Sequence, residues 1–406
     1  MNITKDQVNP GALQVCQILT EHGHQAFIVG GCVRDLILGQ TPKDWDITTS
    51  ATPEQVIAIF PKTYPTGLQH GTITVSLGEG IQNTFEVTTF RVEGEYKDGR
   101  RPEEVFFVTN VEEDLSRRDL TINAIAYDPL TDRLVDPFGG IDDINSSIIK
   151  AVGNADERFK EDGLRIMRAA RFSARFNYHI ELNTFHSMKN SIATLTKVSK
   201  ERIKDELCKT LMTKNPQIGL LAMLNSRALI VATPLLVQYC GGSYLLDQAR
   251  CSGNLETRLA FLYRNATKEE IDSEMKSLKF STKEINMVIF LHELFNNFEE
   301  SYDQSPLEYR KFVSIIKNTG DGWKETFDQF IYLLDAMDCE LQFTDSEAHT
   351  AFSRKEMAIN GNYLMAIGFT PGPKLKKALD DCYKTIINEP SCNNLNYLLE
   401  LSKSFI

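Results

Sequence analysis

The chain has 406 residues, 42% of them hydrophobic, and a formal net charge of -11. That length supports several domains and a sizeable core, and no low-complexity tail interrupts it. The acidity argues against indiscriminate nucleic-acid binding but allows a local basic track for phosphate, while apolar runs break too early for a membrane helix.

In chain order, Leu13, Val15, Ile18 and Leu19 follow a turn at Asn9-Pro10-Gly11 with helical spacing. Residues 26–29 read as a short buried strand, 32–38 as a helix bounded by Gly39, and 46–48 as extended chain. Thr52-Pro53-Glu54 reads as a capped helix start. Residues 72–77 and 84–90 are β-rich around Gly78–Gly80, a hairpin signal. Residues 91–102 are polar, interrupted by Gly94 and Gly99, and read as a mobile loop containing Arg91, Asp98 and Arg100. From Ala155 helical periodicity continues almost to Leu401, without a sequence repeat. The expectation is an α+β protein, with a mixed-sheet head followed by an all-α body.

Asp44 and Asp46 would share a face if one extended strand carried both. Such a pair can hold Mg²⁺, whose charge offsets the repulsion between carboxylates. Gly30-Gly31 permits close approach by a phosphate and offers N–H donors at a helix start, and Arg34 adds a charged fork. The plainer readings are a solvated strand edge for the aspartates and a packing turn for the glycines. In the run 117–124, Arg118 and Asp119 are candidates for phosphate and ribose, or parts of a capped helix with solvated arginines. Asp136-Pro137-Phe138-Gly139-Gly140 reads as a rigid turn.

Within 161–171, Asp162, Arg165, Arg168 and Arg171 recur every three residues and form neighbouring helical ridges. Asp162 and Arg165 can offer acceptors and planar donors to a base edge; a salt-bridge stripe is the ordinary alternative. Gly163 marks the first turn or admits a ligand closely. Glu201, Arg202 and Glu206 read as ionic support, with a glutamate tethering an arginine of the preceding helix. Lys374, Lys376 and Lys377 suit a distant RNA backbone or a solvated helix start. The seven dispersed histidines form no HD or HExxH pair, and the eight cysteines form no CxxC pair. A reducing, cytoplasmic setting without a secretory leader is expected.

Together these segments resemble the class II tRNA nucleotidyltransferases, which include bacterial-type CCA-adding enzymes and related bacterial poly(A) polymerases. VGGCVRDLILG (29–39), DWDI (44–47), EVTTFR (86–91), RRDLTINAIAYD (117–128), DPFGGIDDI (136–144) and EDGLRIMRAARFSARF (161–176) carry it, in order. INGNYLMAIGFTPGPKL (359–375) is similar to the family's tRNA-binding portion. The resemblance implies a polymerase-β-like nucleotidyltransferase head at 1–150, a nucleotide-selecting neck at 151–225, a helical body at 226–325 and a tRNA-binding tail at 326–406.

It also implies a two-ion Mg²⁺ site at catalytic Asp44 and Asp46. Nucleotide contacts would come from Gly30, Gly31, Arg34, Arg118, Asp119, Arg168 and Arg171. Asp162 and Arg165 would pair with incoming CTP or ATP, tRNA would be the acceptor, and no membrane or obligate protein partner is expected. Addition of CCA is the reading; A-adding, CC-adding, poly(A) polymerase and inactive-scaffold alternatives stay open. The segment 87–91 lacks the basic GRRF-like stretch of the family's poly(A) polymerases, and the loop at 91–102 resembles an element needed for A addition. Trp45 departs from the smaller residue the resemblance suggests. On a continuous strand its ring would face away from the aspartates and bear on packing.

Overall fold

Asn9 starts α1 (Pro10–Glu21): its Oδ1 accepts from Gly11 N at 2.8 Å and Ala12 N at 3.2 Å. The expected turn at 9–11 is therefore the first turn of the helix, with Pro10 where its missing N–H costs nothing. Ala12, Val15, Cys16 and Leu19 form the buried stripe that packs α1 on the sheet.

The structure, a computed structural model, describes residues 3–78, 80, 83–94, 105–239, 242–249, 251–301, 305–337 and 351–404. The chain divides into two compact units, Met1–Leu246 with Ser277–Lys279 and Asp247–Lys276 with Phe280–Ile406.

In the first unit, β1 (Ala26–Val29) is buried along its whole length, which explains its uninterrupted apolar sequence. It leads into α2 (Gly31–Ile37), β2 (Asp46–Thr49) and α3 (Pro53–Ile59), the last opened by a Thr52/Gln55 capping box. β3 (Thr63–Gly67), β4 (Thr72–Ser76) and β5 (Thr84–Thr89) follow. The β4–β5 pair is the expected antiparallel hairpin, in register from Thr72/Thr88 to Ser76/Thr84. Beyond it, β6 (Arg91–Glu93) pairs antiparallel with β7 (Val105–Phe107). Residues 91–93, expected in a loop, are thus strand; Asp98 and Arg100 lie outside the described residues.

The main sheet runs β3-β4-β5-β2-β1-β8-β9, with β8 (Ala126–Asp128) and β9 (Arg133–Val135) closing one side. β2 and β5 run parallel and the other neighbours antiparallel, so the sheet is mixed. α4 (Val111–Ser116) ends at Arg117, and only a short turn, Thr121–Asn123, precedes β8. The helix considered for 117–124 is absent: Leu120 bridges Ala151 in antiparallel fashion, and residues 121–123 form a single tight turn.

α5 (Gly140–Asn145) starts where both Asp136 carboxylate oxygens accept from Gly140 N and Ile141 N, at 2.8 and 2.9 Å. After α6 (Ala155–Glu161), α7 (Leu164–Phe176) packs against α9 (Lys200–Leu211) and α10 (Pro216–Asn225), with α8 (Leu182–Asn190) against α6. Gly163 is a close-packing residue: a Cβ there would lie 2.5 Å from the Thr194 carbonyl carbon. The glycine admits neighbouring backbone, and the alternative of close ligand approach is set aside.

In the second unit, Phe298 meets Phe312 and Phe330 edge-on, with centroids 5.0 and 5.6 Å apart. The helices Pro373–Asn388 and Leu395–Lys403 enclose Leu364, Ala378, Cys382, Ile386 and Leu398. Lys374, Lys376 and Lys377 are exposed in the opening turns of the first of these helices. Among the described residues, no helix is long and apolar enough to cross a membrane.

Candidate active site

The turn from β1 into α2 forms the floor of a cleft of about 550 Å³. Gly30 has φ 80°, a left-handed conformation that favours glycine, and a Cβ there would lie 2.8 Å from Arg118 Nη1. Glycine thus lets an arginine lie against the backbone. The Gly30 N–H donates to Ile125 O, whereas the N–H groups of the first α2 turn have no partner within their helix. Gly30, Gly31, Arg34, Asp44, Asp46, Arg118, Asp119, Arg168 and Arg171 all line this one cleft. Residues up to 141 positions apart in sequence are brought together by β1–β2 pairing and by α7.

Arg34 is 3% exposed and already committed. Its Nε and Nη2 donate to Asp35, Nη1 donates to Asn123, and its guanidinium lies 4.7 Å from the Phe176 ring centre. It therefore braces the wall as well as lining the cleft. Arg118 is less engaged: one 3.5 Å contact joins Nη2 to Asp114, and its buried Nε has no hydrogen-bond partner among the described residues.

Buried carboxylates hold Arg168 and Arg171. Asp119 Oδ2 accepts from Arg168 Nε at 2.7 Å, and Glu206 Oε2 accepts from Arg171 Nε at 2.5 Å. Arg168 also stands 4.0 Å from Glu206. Desolvation alone would raise the Asp119 carboxyl, but Arg168, Arg165 and Asn123 outweigh it and hold it at about 2. The Asp46 carboxyl moves upward, first through desolvation in the cleft and then through Glu86 and Asp44, against the pull of Arg118. It nevertheless keeps an exposed face.

Two contributors had no specific sequence signal. Asp114 is fully buried and accepts from Arg117 Nε at 2.9 Å, Thr48 Oγ1 at 3.2 Å and Arg91 N at 3.3 Å. It ties β2, the start of β6 and Arg118 together. In sequence it is one acid in a helix-opening Glu-Glu-Asp run, which dipole compensation explains equally well. Glu86 stands in register with Asp46 on the parallel neighbour β5, a third exposed carboxylate beside the pair. Only the pairing of distant strands reveals it.

Asp44 lies on a bend before β2, so the two aspartates do not share one strand. They still line the same cleft. Trp45 precedes β2, so the continuous strand that would turn its ring away is not formed; it is half-buried and lines a second cavity together with Asp44 and Asp46.

Asp162 and Arg165 are absent from the cleft lining. The Asp162 carboxylate accepts from both Nη atoms of Arg202, at 2.6 and 3.3 Å. Arg165 donates to Glu161 at 2.5 Å and to Arg117 O at 3.0 Å. Arg202 and Glu206 thus engage Asp162 and Arg171 from α9, while Glu201 is exposed.

Asp44 and Asp46 offer hard oxygen donors opposite a cationic cradle. Among the described residues, no three His, Cys, Asp or Glu converge on one ion. That donor set fits Mg²⁺, which is commonly held by one or two carboxylates plus substrate phosphates rather than by an all-protein cage.

A mixed-sheet head with two carboxylates at the mouth of an arginine-lined, glycine-floored cleft defines a nucleotidyltransferase. Residues 26–150 match the poly A polymerase head domain, 177–240 a probable RNA- and SrmB-binding site of polymerase A, and 256–401 a putative tRNA nucleotidyltransferase domain 2. The CCA-adding enzyme of Ligilactobacillus salivarius is 36% identical over 399 residues, covering 97% of this chain and 96% of that one. That of Staphylococcus saprophyticus is 36% identical over 402 residues, again covering 97% and 96%. The crystal structure of the Bacillus stearothermophilus CCA-adding enzyme in complex with CTP superposes with a TM-score of 0.77 at 28% identity, over 98% of this chain and 99% of that one. The Thermotoga maritima enzyme complexed with tRNA shares the fold, with a TM-score of 0.71 at 21% identity, over 99% of this chain and 97% of that one. The chain belongs to the bacterial-type CCA-adding tRNA nucleotidyltransferases of the poly(A) polymerase-like superfamily.

Proposed function

We propose that this enzyme adds CMP and AMP from CTP and ATP to the tRNA 3′ end without a nucleic-acid template, at the cleft containing Asp44 and Asp46. The observation that carries this reading is the convergence of both carboxylates with Gly31, Arg118, Arg168 and Arg171 in one cavity. The tRNA 3′-oxygen attacks the α-phosphorus of the bound nucleotide, a new phosphodiester forms, and pyrophosphate leaves. Bound Mg²⁺ would supply charge neutralisation and favour deprotonation of the attacking hydroxyl.

Asp44 and Asp46 hold that ion, with Glu86 alongside. Arg118, with a spare buried donor, takes phosphate oxygens. Asp119 and Glu206 keep Arg168 and Arg171 in register, so their charges need little reorganisation as the transition state forms. Asp162 and Arg165 read the base edge. A carboxylate has about four acceptor positions, so Asp162 can accept from a base while Arg202 holds it. Lys374, Lys376 and Lys377 meet tRNA phosphates. The described cysteines are all free thiols, which supports work in the reducing cytoplasm.

The deciding experiment extends tRNAs lacking CCA, ending in C and ending in CC, with CTP and ATP separately and together. Completion of all three supports the full reaction. Extension of only the CC-ended tRNA would make the enzyme A-adding, and repeated ATP use on an unrelated RNA would make it a poly(A) polymerase. Metal-dependent extension missing from every substrate, with RNA binding retained, would leave a scaffold. Arg165→Ala should bring incorporation of the four nucleotides about tenfold closer together; unchanged ratios would remove Arg165 from base selection.

A further inference from the structure

Two cavities flank the carboxylate pair, and Lys43, Asp44 and Asp46 line both. The first carries the arginine cradle. The second, about 560 Å³, is lined by Trp45, Pro42, Phe85, Thr84, Glu86 and Asn9, and among the described residues its lining includes no arginine. Its volume lies within the roughly 300–1,000 Å³ of small-molecule sites. A triphosphate would meet acid there with little cationic compensation, so this cavity suits a different part of the substrate.

We infer that the second cavity receives the 3′-terminal nucleoside of the RNA acceptor, with its base stacked on Trp45. The inference rests on the functional reading above. In-line displacement puts the attacking oxygen and the leaving pyrophosphate on opposite sides of the α-phosphorus. With the triphosphate in the cationic cavity, the attacking 3′-oxygen must come from the other side of the carboxylate pair. That is where Trp45 stands. Because Asp44 sits on a bend, strand alternation does not turn the indole into the core, and Trp45 stays partly exposed beside both aspartates. An aromatic face also meets a chemical requirement of successive addition. The terminal base changes from one round to the next, and stacking accepts any base because every base has a π-face. Lys43, a cation of the second cavity, can pair with the phosphate preceding that nucleoside.

The chain has two tryptophans, so Trp323→Phe leaves Trp45 as the sole indole reporter. Titrating that variant with tRNA ending in C should quench its emission. The same tRNA shortened by several 3′ nucleotides should bind with little quenching. In steady state, Trp45→Ala should raise KM for tRNA by about tenfold to a hundredfold. KM for CTP should stay within about twofold, and Trp45→Phe should recover most of the loss. Equal quenching by both tRNAs, or a rise in KM for CTP matching that for tRNA, would overturn the subsite. If Trp45→Ala does not fold, the quenching pair and Trp45→Phe carry the test. Asp46→Asn, assayed alongside, separates the two levels: an inactive Asp46→Asn with an unaffected Trp45→Ala rejects the stacking site alone, whereas an active Asp46→Asn rejects the reading beneath it.

Discussion

The arginines of the head cleft and the lysines of the C-terminal helix are both cationic sets, but they are built differently. Arg168 and Arg171 are pinned by buried Asp119 and Glu206 at 2.7 and 2.5 Å. Lys374, Lys376 and Lys377 project into solvent at the start of Pro373–Asn388, where the helix dipole disfavours positive charge. The difference teaches what each set can recognise. Pinned guanidinium groups fit a small anion whose reacting atom must be held accurately. Exposed ammonium groups suit a long polyanion, whose binding depends on charge count and salt rather than on one geometry.

The largest effect should come from the chemistry that the cradle serves. Asp46→Asn should lower transfer of both CMP and AMP by about a thousandfold, several kcal/mol of barrier, while gel-shift affinity for tRNA changes little. Near-normal turnover in a metal-controlled primer-extension assay would remove Asp46 from the catalytic centre. Next, Asp114→Ala should destabilise the fold by about 3 kcal/mol, because it strands Arg117, Arg118 and the Arg91 N–H around an emptied buried site. Urea unfolding measures this, and a change under about 0.5 kcal/mol would mean that the three groups find other partners.

The pinned set should also show a distinct pH signature. Asp119 sits at about 2, below the usual 3.8 of an aspartate, so its ionised form adds stability that is complete above about pH 4. That contribution is lost as pH falls toward 2. The stability gap between the native chain and Asp119→Asn should therefore close by on the order of 2 kcal/mol across that window. A gap constant with pH would show that the Arg168 pairing is not charge-dependent. The smallest effect belongs to the lysines: replacing Lys374, Lys376 and Lys377 by Ala should weaken tRNA binding several-fold and flatten its salt dependence. KM for CTP should not move. An unaltered salt slope would make the lysines an ordinary solvated helix start.

Much of the head was legible because its signals are local. The buried run of β1, the Thr52 cap and the β4–β5 hairpin all follow from neighbouring residues. What escaped reading depended on partners far away. The strand β8 was not read from its three residues because its identity comes from pairing with β1, about a hundred residues earlier. Of the two readings of Gly163, the helix start holds, while the space for a ligand is taken by the backbone at Thr194 and Leu195. Asp114 carried no sequence signal because its four partners come from β2, from β6 and from the two arginines that follow its own helix.

The order of motifs from Val29 to Phe176 was enough to mark the family and to name most of the charged groups of the cleft, though not Asp35, Lys43 or Arg175, since residue type and spacing survive in the linear chain. What each group does with its charge was decided by tertiary structure. The fold braces Arg34 with Asp35 and Asn123, leaves Arg118 a spare donor, and directs Asp162 toward Arg202. It also placed Trp45 beside the aspartates, through a bend that strand periodicity does not anticipate. The physical reason is common to all four. A side chain's type is local, but its hydrogen-bond partners and exposure depend on which distant elements pack against it.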